Sequence, residues 1–195
     1  VLFHGNGGAI VHRARKARHF LNHGYGVFLA EYRGYGGNPG RPSEDGLYAD
    51  ARAVLAWLQT RGVVGHRLVL YGESLGSGVA VQMAVEHEIA ALVLEAPFTR
   101  LPALAPAYVP PPVAEVVMLD RFDNLAKIGR VTVPLLIVHG GEDAVVPQSM
   151  GRALLAAAVS SPDPDGVFPP MAGHHNVWEL AGEDAAIAFL RRLGR

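Results

Sequence analysis

Short apolar runs recur along the chain, each bounded by glycine, proline or polar residues. Residues 1–3, 27–30, 68–71, 91–94 and 135–138 read as buried strands, and 166–168 as a weaker one. Between them the period changes to that of a helix. Ser43 is placed to cap one, with Glu44 and Asp45 in the first turn, where negative charge suits the helix dipole. Leu47, Ala51, Val54, Leu55 and Leu58 then form a single stripe. Ser149 is placed to cap a later helix through Leu154 and Leu155. A last helix carries Ile187, Leu190 and Leu193, has Arg191 and Arg192 in its final turn, and stops at Gly194. This alternation predicts an α/β fold, a mostly parallel sheet with helices on both faces and chemistry at the carboxyl ends of its strands.

Composition narrows the possibilities. The 195 residues suit one domain over 1–195 with a sizeable core. Half are apolar and 18% are charged, as in a folded chain rather than a disordered one. A net charge of −1 argues against a nucleic-acid partner or a polybasic membrane patch. The absence of cysteine excludes disulfides, thiolate metal sites and a cysteine nucleophile. No apolar run approaches the ~18 residues of a spanning helix. The chain begins without Met, directly on an apolar run, so we expect a preceding N-terminal segment that includes further strands. Any leader or membrane anchor would lie in that segment, and the cellular location is left open. Pro97, Pro102, Pro106, Pro110, Pro111 and Pro112 rule out a core helix and predict a short cap-like excursion over about 97–125.

The chemistry centres on Gly72-Glu73-Ser74-Leu75-Gly76, set between a short strand and the small-residue helical run from Ser77 to Ala84. G-x-S-x-G in that setting is the form of a nucleophile elbow, a turn too tight for bulk beside an exposed serine. A serine nucleophile needs a base, and the base an orienting acid. Asp143 follows the 135–138 strand and its Gly140-Gly141 turn, with Glu142 as its neighbour and competitor. His174 follows the weak last strand, with His175 as the alternative base. The glycine-rich loop His4-Gly5-Asn6-Gly7-Gly8 follows the first strand. Backbone N–H groups of Asn6 and Leu75 are the expected oxyanion donors. This site requires neither metal nor organic cofactor. His4 and His139, each before a glycine at a strand end, read as packing residues, and Tyr35 as a residue of the pocket mouth.

Several blocks occur in a telling order: His4-Gly5-Asn6, Tyr32-Arg33-Gly34-Tyr35-Gly36, Ser43-Glu44-x-Gly46-Leu47-Tyr48-x-Asp50, the serine motif, Arg121-Phe122-Asp123-Asn124-Leu125, His139-Gly140-x-x-Asp143-x-x-Val146-Pro147, and Gly173-His174. Together they resemble the α/β-hydrolase superfamily, in the branch of alpha/beta hydrolase domain proteins and serine-aminopeptidase-like members that includes protein depalmitoylases. The resemblance covers nearly the whole chain. It implies Ser74, Asp143 and His174 as the triad. Where the family reads Gly-His-Asn, this chain reads Gly173-His174-His175-Asn176; matching Gly173 selects His174, and matching Asn176 selects His175. The expected activity is that of a serine esterase or thioesterase on a small-molecule or lipid-like acyl substrate. A peptidase or amidase, or a silent fold used for binding, is the alternative.

Overall fold

A computed structural model describes residues 1–105, 113 and 117–194. Six strands, β1 (Leu2–Phe3), β2 (Leu29–Ala30), β3 (Gly65–Glu73), β4 (Ile89–Glu95), β5 (Leu135–Val138) and β6 (Pro164–Val167), form one sheet in the order β2-β1-β3-β4-β5-β6. Every neighbouring pair is parallel. All seven residues of β4 are buried, as expected of a central parallel strand covered on both faces.

Strand alternation divides the core in two. On one face Phe3, Leu70, Leu92, Leu94, Leu135 and Ile137 pack with residues of α2 (Glu44–Gln59), α3 (Leu75–Glu86) and α5 (Gln148–Ala157). On the other, Leu2, Tyr71, Val93, Leu136 and Val138 pack with residues of α1 (Ala14–Asn22) and α6 (Glu183–Arg192). The α2 stripe is buried at Leu47, Ala51, Leu55 and Leu58, and the Ser43 hydroxyl accepts the Gly46 N–H at 3.1 Å, capping the helix. Two expectations shift. Helix α5 starts after Pro147, whose extended ψ of 132° makes it the capping residue, so Ser149 falls inside the first turn. Strand β6 runs Pro164–Val167 and stops before Phe168.

The proline-rich excursion enters through a short 3₁₀ turn, Leu101–Leu104. Pro106, Pro110, Pro111 and Pro112 lie outside the described residues. The returning chain is tied to the start of α2. The Glu44 carboxylate accepts N–H groups of Arg121 (2.7 Å) and Phe122 (2.9 Å), and Asp120 accepts the Glu44 N–H at 2.7 Å. Helix α4 (Asn124–Ile128) follows. No helix among the described residues is long and apolar enough to cross a membrane.

Candidate active site

Ser74 stands between β3 and α3 with φ 49° and ψ −114°, a region that side-chain-bearing residues avoid. Its backbone N–H donates to the Glu95 carbonyl at the end of β4, 2.9 Å away. The flanking glycines are required by contact. A Cβ on Gly72 would lie 2.6 Å from the Gly76 carbonyl oxygen, and one on Gly76 would overlap the Phe3 carbonyl. The turn therefore closes only with glycine on both sides, and it presents Ser74 at the carboxyl edge of the sheet.

Two loops meet it there. Asp143 follows β5, and His174 follows β6. They are strapped together by Gly141 N–H to the Pro169 carbonyl (2.8 Å) and Glu142 N–H to the Ala172 carbonyl (2.9 Å). His174 Nδ1 lies 2.7 Å from Asp143 Oδ2, and its Nε2 lies 3.2 Å from Ser74 Oγ. A carboxylate only accepts, so Nδ1 carries the proton and Nε2 is free to accept from the serine hydroxyl. The other oxygen of Asp143 accepts the N–H groups of Val145 (2.9 Å) and Val146 (2.7 Å). Burial pushes the Asp143 carboxyl up. Hydrogen bonds from His139, His174 and Val146 outweigh it and hold the group well below the usual carboxylate range.

The competitors fall outside this chain of contacts. Glu142 is exposed. His175 is exposed too, its ring edge-on to that of His174 with centroids 5.2 Å apart. Asn176 serves the loop instead. Its side-chain oxygen accepts the Gly173 N–H at 2.7 Å and closes the turn that carries His174.

The loop after β1 brings Asn6 to the cleft beside Ser74, and Leu75 opens α3, where the first N–H groups lack helical partners. Tyr35 does not line this cleft. It stands behind Asn6, donating its hydroxyl to Asn6 Oδ1 at 2.6 Å, with its ring against His4 (5.2 Å) and Tyr32 (5.8 Å). Tyr35→Phe should therefore loosen the Asn6 loop and lower kcat by up to about ten-fold, the size of one hydrogen bond. Steady-state kinetics would show this as a change in kcat with the thermal midpoint nearly unmoved. His4 is fully buried and bonded to Glu31 at 2.7 Å, as a packing residue. Arg33 and Asp50 form a bidentate pair at the surface.

The cleft measures ≈ 540 Å³, and one wall is a charge cluster that sequence reading missed. Lys16, from α1, reaches Glu73 Oε2 at 3.1 Å and also bonds Glu95. Arg13 Nε donates to Glu73 at 3.1 Å, and the Tyr71 hydroxyl donates to Glu95. The ammonium of Lys16 lies 4.6 Å from the Trp178 ring centroid and 4.9 Å from that of Tyr71. The one sequence signal was Glu73, which sits inside the serine motif itself.

A parallel sheet of this order, with a serine on the strand–helix turn at its centre, defines an α/β hydrolase. The chain belongs to the Hydrolase_4 family, described as serine aminopeptidase, S33, whose model matches residues 1–127. It is 41% identical over 191 residues to an uncharacterised protein of Mycobacterium tuberculosis, covering 95% of this chain and 67% of the relative. It is 36% identical over 168 residues to human alpha/beta hydrolase domain-containing protein 17B, covering 86% of this chain. The chain thus spans 54%, about half, of that relative's length. Among solved structures, the Paleococcus ferrophilus monoacylglycerol lipase superposes with a TM-score of 0.79 at 17% identity, over 98% of this chain and 93% of that one. A Pyrococcus furiosus esterase gives 0.78 at 20%, over 98% and 81%. These two likenesses are of fold.

Proposed function

We propose that this protein is a serine hydrolase that cleaves carboxylic esters or thioesters through an acyl-enzyme. The observation that carries the reading is His174 lying between Ser74 Oγ and Asp143 Oδ2 at 3.2 and 2.7 Å. Ser74 Oγ attacks the acyl carbonyl as His174 Nε2 takes its proton. Asp143 holds the imidazole and stabilises its charged form. The N–H groups of Asn6 and Leu75 receive the developing oxyanion. Collapse of the tetrahedral adduct expels the alcohol or thiol, which takes the proton from His174. A water then repeats the sequence on the acyl group and releases the acid.

The charged wall bears on the substrate. Arg13, Lys16, Glu73 and Glu95, already paired with one another, put charged atoms rather than hydrocarbon on this wall, so an acyl chain laid along it forgoes part of the about 0.8 kcal/mol that each methylene gains on an apolar surface. The cleft beside α1 therefore suits the polar end of a substrate, and a lipid-like acyl chain leaves Ser74 in another direction. The family description favours one further reading, amide or peptide cleavage by the same residues.

A fluorophosphonate probe is the test. The expected result is a single adduct that peptide mass mapping places on Ser74. Intact native protein that resists the probe would defeat the enzymatic reading. Matched ester, thioester and anilide substrates then rank the two hydrolytic readings by kcat/KM.

A further inference from the structure

His139 reads as packing in the sequence, yet its position at the end of β5 puts it against the acid of the site. It is fully buried. Its Nε2 lies 2.8 Å from the Val146 carbonyl oxygen and 3.3 Å from Asp143 Oδ2. A carbonyl only accepts, so Nε2 carries the proton, and the same N–H leans toward the carboxylate. Oδ2 is also the oxygen that faces His174. The ring has no room to swing. Gly151 of α5 packs against Nδ1 so closely that a Cβ there would overlap it, and Nδ1 has no hydrogen-bond partner. The backbone is fixed as well, by His139 N–H to the Val167 carbonyl (2.9 Å) and by Gln148 Nε2 to the His139 carbonyl (3.1 Å).

We infer that His139 is a positioning residue: its Nε2–H fixes the plane of the Asp143 carboxylate so that Oδ2 meets His174. This rests on the serine-hydrolase reading. The two Val145 and Val146 N–H groups hold Oδ1 alone and leave the carboxylate free to turn about that oxygen. A donor leaning on Oδ2 removes that freedom. The loss of such a donor misplaces the imidazole by a fraction of an ångström, and small misplacements in a reacting constellation lower rates steeply.

The test compares two variants of similar length that differ in the donor. In His139→Gln the side-chain amide nitrogen replaces Nε2, and kcat should stay within about three-fold of wild type. In His139→Met the volume is kept and the donor lost. There kcat should fall roughly 10- to 100-fold with KM unchanged and the thermal midpoint close to that of the Gln variant. If Met fails to fold, His139→Asn replaces it, since its amide is one methylene too short to reach Asp143. Equal loss in the donor and non-donor variants, or full kcat in Met or Asn, overturns the inference and makes His139 packing only. Fluorophosphonate labelling of the wild type separates the two failures. An unlabelled wild type sinks the serine-hydrolase reading itself, whereas a labelled, active wild type with indifferent variants sinks only the role of His139.

Discussion

Ser74→Ala and His174→Ala are each expected to lower kcat by about 10⁶, and the double variant to fall no further. On the proposed reading the two residues act as one unit. Without the imidazole, Ser74 keeps its proton at neutral pH and its attack is as weak as that of any alcohol. Without the hydroxyl, the imidazole has no nucleophile to activate. Residual turnover should come from the oxyanion donors and from binding. His175→Ala is the control with the strongest discriminating power. Its ring is exposed and touches His174 only edge-on, so its removal should change kcat by no more than about three-fold. Stopped assays on a short-chain ester, with protein concentration fixed by absorbance, measure all four proteins. A His175→Ala loss comparable to that of His174→Ala would transfer the base to the neighbour.

That ambiguity was present in the sequence for a physical reason. Gly173 and Asn176 both belong to the turn, one as the residue before His174 whose N–H is bonded and the other as the side chain that accepts it. An inserted histidine between them satisfies either alignment, and only the path of the loop decides which ring meets Asp143. The elbow was legible because its demands are local. Gly72 and Gly76 are excluded from bearing side chains by atoms within a few residues and one strand away. The sheet was legible because β4, β5 and residues 68–71 of β3 are largely buried and read as continuous apolar runs. The short edge strands were clearer in existence than in extent.

The charge cluster was not legible. Helix α1 reads Ala-Arg-Lys-Ala-Arg-His-Phe-Leu-Asn, a sequence that by pattern belongs at the surface, and a lysine there is expected in water. Lys16 is instead only 6% exposed, because β3 and β4 end in glutamates directly beneath it. Its partners lie 57 and 79 positions away. Separation of that size leaves no periodic trace. His139 escaped for a different reason: it stands only four positions before Asp143, but a histidine at a strand end looks alike whether it packs or leans on a carboxylate across the loop.

Lys16→Met should destabilise the fold by about 3–5 kcal/mol, the range for removing one partner of a buried pair. For a chain of this size that corresponds to a fall of roughly 6–20 °C in thermal midpoint. The substitution leaves Glu95, buried beneath α1, with the Tyr71 hydroxyl but without its cation. Glu73 keeps Arg13. The wild-type cluster also sets the acid limit. Burial pushes the Glu73 carboxyl up, but Lys16 and the hydrogen bond and charge of Arg13 bring it down from 4.5 to about 2. A depressed folded pKa adds stability that is full above the unfolded value and is lost as pH falls through the folded one. The Glu73 contribution should therefore persist from neutral pH to about 4.5 and disappear between there and about 2. Lys16→Met removes one of the groups holding that pKa down, so the stability gap between wild type and variant should narrow as pH drops through the same window. Thermal melts from pH 7 to 2.5 would follow it; a gap independent of pH would mean that Lys16 stabilises through packing on Trp178 and Tyr71 instead. The double variant Lys16→Met/Glu95→Met separates charge from fold. Replacement of both partners by apolar side chains is often neutral or stabilising, so the double should recover most of what the single loses. Recovery of stability without recovery of kcat would assign the cluster to the cleft, where it faces the polar end of the substrate, rather than to holding α1 on the sheet.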